Sequence, residues 1–152
     1  MTVIELKTEL LQTCKNIVEN RFAKVKQTIA DIEESLLEED KNSSGDKHET
    51  GRAMLQIDRE NAGKQLNEIE KLNQLLKRAD LKSTADYVRL GSLVQTNHAT
   101  FFMMLSIGAV VVNKENYLCV ALNSPIGLQL SGKKKGDAFD FNGKEYKVID
   151  VK

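Results

Sequence analysis

Apolar residues in the first half of the chain recur three or four positions apart, which keeps them on one side of an α-helix. The first series is Leu11, Cys14, Val18, Phe22, Val25, Ile29, Ile32 and Leu36, and the second is Leu55, Ala62, Leu66, Ile69, Leu72 and Leu76. A polar stretch separates the two series. Two striped helices joined by a short polar turn are expected to fold back as an antiparallel hairpin, each covering the stripe of the other.

Nothing in this half forces a helix to break, because the single proline is Pro125. Each arm of the hairpin is expected to have about 35 residues, which at ~1.5 Å per residue gives a rod on the order of 50 Å long. Such a rod buries one seam and little else, so the globular core must lie further along the chain.

From Lys82 onward the pattern changes to short runs rich in valine, phenylalanine, tyrosine and leucine, which indicate β-strands. These runs are YVRLGSLVQT, TFFMMLSIGAVVV, NYLCVAL, DAFDF and KEYKVIDV. Asn142-Gly143 is a strong hairpin-turn signal, and Ser124 followed by Pro125 predicts the start of a short helix ending at Leu130. The sequence therefore predicts an α+β chain, with a helical-hairpin coiled coil over residues 1–79 and a compact α+β domain over residues 80–152.

The composition is that of a soluble globular protein, with 41% hydrophobic and 29% charged residues. Its formal net charge of zero argues against a general nucleic-acid binder, which usually carries a basic excess. No apolar run approaches the roughly 18 residues of a membrane span, and the acidic, amphipathic N-terminus does not resemble a secretory signal.

The cysteines and histidines do not have the spacing of a metal site. Cys14 and Cys119 each lie among apolar neighbours, so both are expected to be buried free thiols in a reducing cytoplasm. His48 and His98 stand far apart.

Acidic residues concentrate around the expected hairpin turn, with a tip near residues 38–49. Asp46 and Glu49 follow Gly45 and form the pattern of a capping box, in which each residue satisfies the backbone amide of the other. Two carboxylates three positions apart on a helix can also share a hard cation such as Mg²⁺. Alone they make a half-built site, which requires a partner to supply the remaining ligands.

Two motifs in this layout resemble those of the bacterial Gre transcript-cleavage factors. Gly45-Asp46-x-x-Glu49 is similar to the Gly-Asp-x-x-Glu tip of that family. The stretch NSPIGLQLSGKKKGD, from Asn123 to Asp137, followed by GKEYKVIDV, is similar to the Ser-Pro-Ile, Leu-x-Gly-Lys and closing Glu-Tyr-x-Val segments of its globular domain.

The resemblance implies a fold and an activity. The globular domain would be FKBP-like and would dock on the rim of the secondary channel of RNA polymerase, with Ser124 and Pro125 in the docking surface. The hairpin would enter the channel, where Asp46 and Glu49 would help to hold the second Mg²⁺ of the polymerase active site. That Mg²⁺ activates the water that cuts backtracked RNA.

On this interpretation the chain is a cytoplasmic accessory factor, not an enzyme. It is expected to be a monomer with no cofactor of its own and to meet the 3′ end of the nascent RNA only indirectly. A Gre-like regulator or inhibitor that occupies the channel without stimulating cleavage is the alternative, because Thr50, Gly51 and Arg52 follow Glu49 where the family usually has Asn and an aromatic residue.

Other functions receive less support. The run from Gly127 to Lys134 approaches a phosphate-binding P-loop but lacks its final Ser or Thr, and Leu128 and Leu130 within it are expected to be core residues of the short helix. A prolyl isomerase needs an aromatic-lined pocket, yet only 5% of the residues are aromatic.

Two features of the sequence are open to more than one interpretation. The Lys133–Lys135 run is either a solvated turn or a contact with an acidic polymerase surface or RNA phosphate. A structural coiled-coil adaptor that self-associates through the helical seam also stays open, because a hairpin and a dimer can use the same stripe.

Overall fold

The computed structural model describes residues 1–41 and 45–152, with the backbone alone described for residues 45–48. Within these residues two long helices precede six short strands and one short helix. The elements are α1 (Val3–Lys41), α2 (Gly45–Lys77), β1 (Leu93–Thr96), β2 (Thr100–Met103), β3 (Gly108–Val112), β4 (Glu115–Val120), α3 (Pro125–Leu130), β5 (Ala138–Phe141) and β6 (Lys144–Val151). This confirms the predicted α+β class.

The six strands form one mixed sheet in the order β3-β4-β2-β1-β6-β5. Neighbouring strands are antiparallel except β2 and β4, which run parallel. Asn142 and Gly143 connect β5 to β6 with φ angles of 51° and 76°. Two successive left-handed residues are what a type I′ hairpin turn requires, so the predicted turn is confirmed.

Two of the predicted strand runs are shorter than expected. The run from Tyr87 to Thr96 is a strand only from Leu93, while Tyr87 forms an isolated bridge to Lys134. The run from Thr100 to Val112 divides into β2 and β3. Gly108, at the start of β3, has a φ of +86°, a conformation that favours glycine.

The sheet buries apolar side chains on both faces. One face packs with α3 in a cluster of buried residues, namely Val88, Val94, Phe101, Met103, Leu130, Phe139 and Val148. On the other face, Cys119 of β4 meets Cys14 of α1. The hydrogen bond with Cys14 and then burial raise the pKa of the Cys119 thiol. Both cysteines are fully buried and free, as predicted.

The first turns of α1 therefore belong with the sheet. The chain divides into two compact units, one formed by residues 1–16 and 75–152 and the other by residues 17–74. These units differ from the domain limits expected from the sequence, 1–79 and 80–152, which stay a prediction. No helix among the described residues is long and apolar enough to cross a membrane.

The second unit is the antiparallel hairpin. Glu33 of α1 pairs with Arg59 of α2, and Asp40 pairs with Arg52, so the helices run in opposite directions. Every residue of the two predicted stripes between positions 17 and 74 is buried or half-buried. The most buried are Val18, Val25, Ile32, Ala62 and Ile69. The period of the apolar stripe thus predicted the seam correctly.

Candidate functional site at the hairpin bend

The two acidic positions singled out by the sequence, 46 and 49, lie at the start of the second long helix. α1 ends at Lys41 and α2 begins at Gly45. Asp46 lies in the first turn of α2 by its backbone, and its side chain lies outside the described residues. Glu49 is described and exposed to solvent. Positions 46 and 49 are three residues apart within one helix, and residues at that spacing are neighbours on a helix surface.

The capping box predicted for Asp46 and Glu49 stays a prediction. α2 begins at Gly45, one residue before Asp46. A helix limit is defined to within one or two residues, and a cap is identified by the hydrogen bonds of its side chain, which for Asp46 lies outside the described residues. An acidic residue in a first turn still interacts favourably with the positive end of the helix dipole.

Two ion pairs join α1 to α2 and show how the two helices lie against each other. The Arg52 guanidinium contacts the Asp40 carboxylate, and Arg59 Nε donates to Glu33 Oε1 at 3.2 Å. All four side chains are more than a third exposed, so each pair stabilises the hairpin by at most about 1 kcal/mol. These pairs therefore show the register of the helices but add little to their stability.

Gly51 permits close packing next to the bend. A Cβ atom at this position would lie 3.2 Å from Glu39 Oε1. The Glu39 carboxylate therefore rests against the backbone of α2, where a larger residue than glycine would displace it.

The described residues do not form a metal site by themselves. No group of three or more His, Cys, Asp or Glu side chains within residues 1–41 and 49–152 could hold a metal ion. Carboxylate oxygen is nevertheless the donor that Mg²⁺ prefers, and Mg²⁺ usually keeps several waters or substrate oxygens. Glu49 is exposed, so its carboxylate is free to donate one oxygen ligand. The shared metal site with a partner stays a prediction.

The second predicted surface, at Ser124 and Pro125, is built by the start of α3. Ser124 caps this helix, since its Oγ accepts from the Gly127 amide at 3.1 Å and donates to the Ala121 carbonyl at 2.6 Å. Pro125 occupies the first turn and is exposed. At Gly127, an added Cβ would overlap the Ala121 carbonyl oxygen. The turn itself thus requires Ser124 and Gly127, and Pro125 fits the first helical turn, where its missing amide proton costs nothing.

Leu128 corrects an expectation from the sequence. Leu130 is fully buried, as predicted, but Leu128 is 65% exposed. α3 has only six residues, so one side packs on the sheet and the other faces solvent. The helical spacing could have shown this, because Pro125 and Leu128 are three residues apart and share a face. Together they form an exposed apolar surface.

The loop after α3 is not a phosphate-binding loop. In a P-loop the glycine-rich turn leads into a helix, whereas here Gly127 lies inside α3 and Gly132 follows it with a φ of +78°. Lys133 lies over the Phe139 ring at 5.9 Å, and the Lys134 ammonium lies 3.9 Å from Asp86. These contacts suit a solvated turn, and the alternative contact with acidic surfaces or RNA stays a prediction.

Comparisons with known proteins found a match among solved structures and none among protein families or curated proteins. Among solved structures, the chain is similar to one described as the transcription factor Gfh1. The identity is 17%, the TM-score is 0.34, and the alignment covers 93% of this chain and 92% of the other.

Proposed function

We propose that this chain is a Gre-type accessory factor of RNA polymerase. It binds in the secondary channel and stimulates cleavage of backtracked RNA by the polymerase's own Mg²⁺-dependent active site. Asp46 and Glu49 provide two carboxylates to the Mg²⁺, and the start of α3 contacts the rim of the channel. The factor is cytoplasmic and bacterial, needs no cofactor of its own, and meets the RNA 3′ end only indirectly.

One observation carries this proposal: two acidic positions, three residues apart, lie in the first turns of α2 beside the hairpin bend. α1 has 39 residues and α2 has 33. At ~1.5 Å per residue these helices are on the order of 50–60 Å long. A slender pair of helices with carboxylates at the bend suits entry into a narrow channel, and the Gly-Asp-x-x-Glu motif agrees with this role.

The chemistry assigned to this chain is limited to ligand donation. In a two-metal site, the ions stabilise the attacking and leaving oxygens of a phosphoryl displacement. The carboxylates of Asp46 and Glu49 would hold and orient the weakly bound ion, while the polymerase supplies the remaining ligands and the substrate. Accordingly, the factor is inactive without polymerase.

The test compares two double variants on backtracked elongation complexes of the host's own polymerase. Asp46→Asn with Glu49→Gln removes the two proposed ligand charges. Glu34→Gln with Glu38→Gln removes two exposed charges from α1 and serves as the matched control. We expect the first variant to bind the polymerase without shortening the transcript, and the control to cleave like the wild type. Equal cleavage by all three proteins would overturn the assignment of Asp46 and Glu49.

The second candidate function is occupation of the channel without cleavage. It is favoured by the residues after the motif, since Thr50, Gly51 and Arg52 follow Glu49 and Gly51 packs against Glu39. In the same experiment this regulator would bind and slow RNA synthesis. Neither the wild type nor the variants would then cut the transcript.

The rim contact is tested separately from the cleavage. Leu128→Asp places a charge in the exposed apolar surface of α3, and Gln129→Asp places the same charge on its exposed neighbour. We expect Leu128→Asp to weaken polymerase binding at least about tenfold, which corresponds to about 1.4 kcal/mol. Gln129→Asp should bind like the wild type. Equal binding by both variants would exclude Leu128 from the interface.

A further inference from the structure

One side of the hairpin unit carries an apolar groove that the proposed function does not use. Its volume is about 380 Å³, and it runs along the seam between α1 and α2. Val25 and Ile69 form its floor, and Leu72 is half-buried beside them. The residues that line it are Arg21, Lys24, Val25, Gln65, Glu68, Ile69 and Leu72.

The two walls of the groove carry opposite charges. Arg21 and Lys24 stand on the α1 wall, and Glu68 stands on the α2 wall. Glu68 has a contact with Lys71 at 3.6 Å, but both side chains are more than 70% exposed, so this pair is weak. Within the part of the chain that the structure describes, neither Arg21 nor Lys24 belongs to an ion pair.

The register of the hairpin places these charges at one level. Glu33 pairs with Arg59 and Asp40 with Arg52, and the same antiparallel register continued along the helices puts Lys24 level with Glu68. A two-fold axis parallel to the helices that lays one groove on another copy's groove brings Lys24 opposite the partner copy's Glu68, and the reverse contact follows by symmetry. The perpendicular two-fold axis would place like charges opposite each other, so the charges select the parallel axis.

This arrangement favours a second copy over an unrelated helix. An acidic helix in the groove would face Glu68, and a basic one would face Arg21 and Lys24. A second hairpin has the complementary charge at each wall. Met54 extends the same side of α2, because it precedes Leu72 by five helical turns. Its side chain is 62% exposed, so pairing would bury further apolar surface.

We propose that two copies of this chain associate through this groove, with their hairpins forming a four-helix bundle. The contact is isologous and is held by Val25, Ile69 and Leu72, with the Lys24–Glu68 pairs selecting the arrangement. It does not depend on the polymerase, so it can be measured on the isolated protein. It departs from the monomer expected from the sequence.

The test uses complementary charge reversals in the full chain, followed by sedimentation equilibrium over a wide concentration range. We expect the wild-type mass to rise with concentration from 17.0 kDa towards twice that value. Glu68→Arg and the double variant Arg21→Glu with Lys24→Glu should each stay at the mass of one chain, because like charges then face each other. A mixture of the two variants should regain the larger mass.

Two controls keep the result interpretable. Glu70→Arg makes the same charge change at an exposed position outside the groove and should associate like the wild type. Helical circular dichroism shows whether each variant is folded. A wild-type mass of one chain at every concentration would overturn the proposal. It would also be overturned by a dimer that persists in Glu68→Arg or a mixture that does not recover.

Discussion

At the scale of single residues, Gly127 shows how the turn before α3 restricts the sequence. An added Cβ would overlap the Ala121 carbonyl oxygen and lie 2.8 Å from Ser124 Oγ, and neither group can move without losing the helix cap. We expect Gly127→Ala to lower the free energy of unfolding by about 3 kcal/mol, the upper part of the usual cost of overpacking. Urea unfolding measures this change. Gln129→Ala, on the exposed side of α3, should stay within about 0.5 kcal/mol of the wild type.

Lys7 is a second residue whose environment has a measurable consequence. It is 2% exposed. Burial and then the positive charge of Arg89 lower the pKa of Lys7, while Asp80 acts in the opposite direction. The folded chain therefore releases this proton at a lower pH than the unfolded chain. Between those two pKa values the unfolded chain binds more protons, so stability rises with pH through this interval.

Replacement of Lys7 by methionine should remove that dependence. At a pH below both pKa values Lys7 is charged in the folded and in the unfolded chain, and burial of the charge opposes folding in full, so we expect Lys7→Met to be more stable than the wild type there. The difference should shrink as the pH approaches 10.5, the ordinary lysine value. Urea unfolding at several pH values measures it. Lys15→Met, exposed on the same helix, should follow the wild-type pH dependence, and a constant gain for Lys7→Met would contradict the assignment.

At the scale of elements, the seam of the hairpin is held by buried apolar side chains and not by its ion pairs. Ile32 is 9% exposed and Ile57 is 56% exposed, although both are isoleucines of the same unit. We expect Ile32→Ala to cost about 2–5 kcal/mol through lost burial and the cavity left behind. Ile57→Ala should cost nearly nothing, since alanine has the better helix propensity. Loss of helical circular dichroism on heating measures the stability of both variants. Similar losses of stability would contradict the burial of Ile32 in the seam.

Elements that depend on local sequence were predictable, whereas those that depend on distant contacts were not. Asn142-Gly143 and Ser124-Pro125 specify their turn and cap within a few residues, and the apolar stripes specify the helical seam. The sheet order, in which β2 pairs parallel with β4, follows from long-range packing. The contact between the free thiols of Cys14 and Cys119 joins residues far apart in the sequence, so it too could not be predicted from local sequence.

The candidate surfaces likewise include features that the local sequence indicates and features that it does not. The sequence placed Asp46 and Glu49 at the bend, because the spacing of the apolar stripes locates the turn. It did not place Leu128 on the surface, since which side of a six-residue helix packs on the sheet depends on the sheet's position. The groove at Val25 and Ile69 also depends on how the two helices approach each other, which the apolar period does not specify.

At the scale of the whole molecule, the sheet unit is completed by residues from the other end of the chain. Leu10 and Cys14 are fully buried in the unit that also contains residues 75–152, as are Phe102 and Cys119. Burial of one leucine contributes about 1.5–3 kcal/mol. Since a small domain has only about 5–15 kcal/mol of net stability, removal of residues 1–16 is expected to leave the sheet marginal or unfolded.

This expectation distinguishes a domain limit between residues 79 and 80 from the division in which residues 1–16 belong with residues 75–152. Residues 80–152 alone should give little cooperative unfolding and exposed apolar surface. Residues 1–16 joined through a flexible glycine-serine linker to residues 75–152 should fold, because this protein keeps the buried face of α1 and omits only the hairpin. The same linked protein with Leu10→Asp should lose the fold, which would show that α1 packs on the sheet and does not merely lengthen the chain. Urea unfolding followed by near-ultraviolet circular dichroism distinguishes these cases. Cooperative unfolding of residues 80–152 alone would instead support the limit between 79 and 80, with α1 contributing little to the sheet.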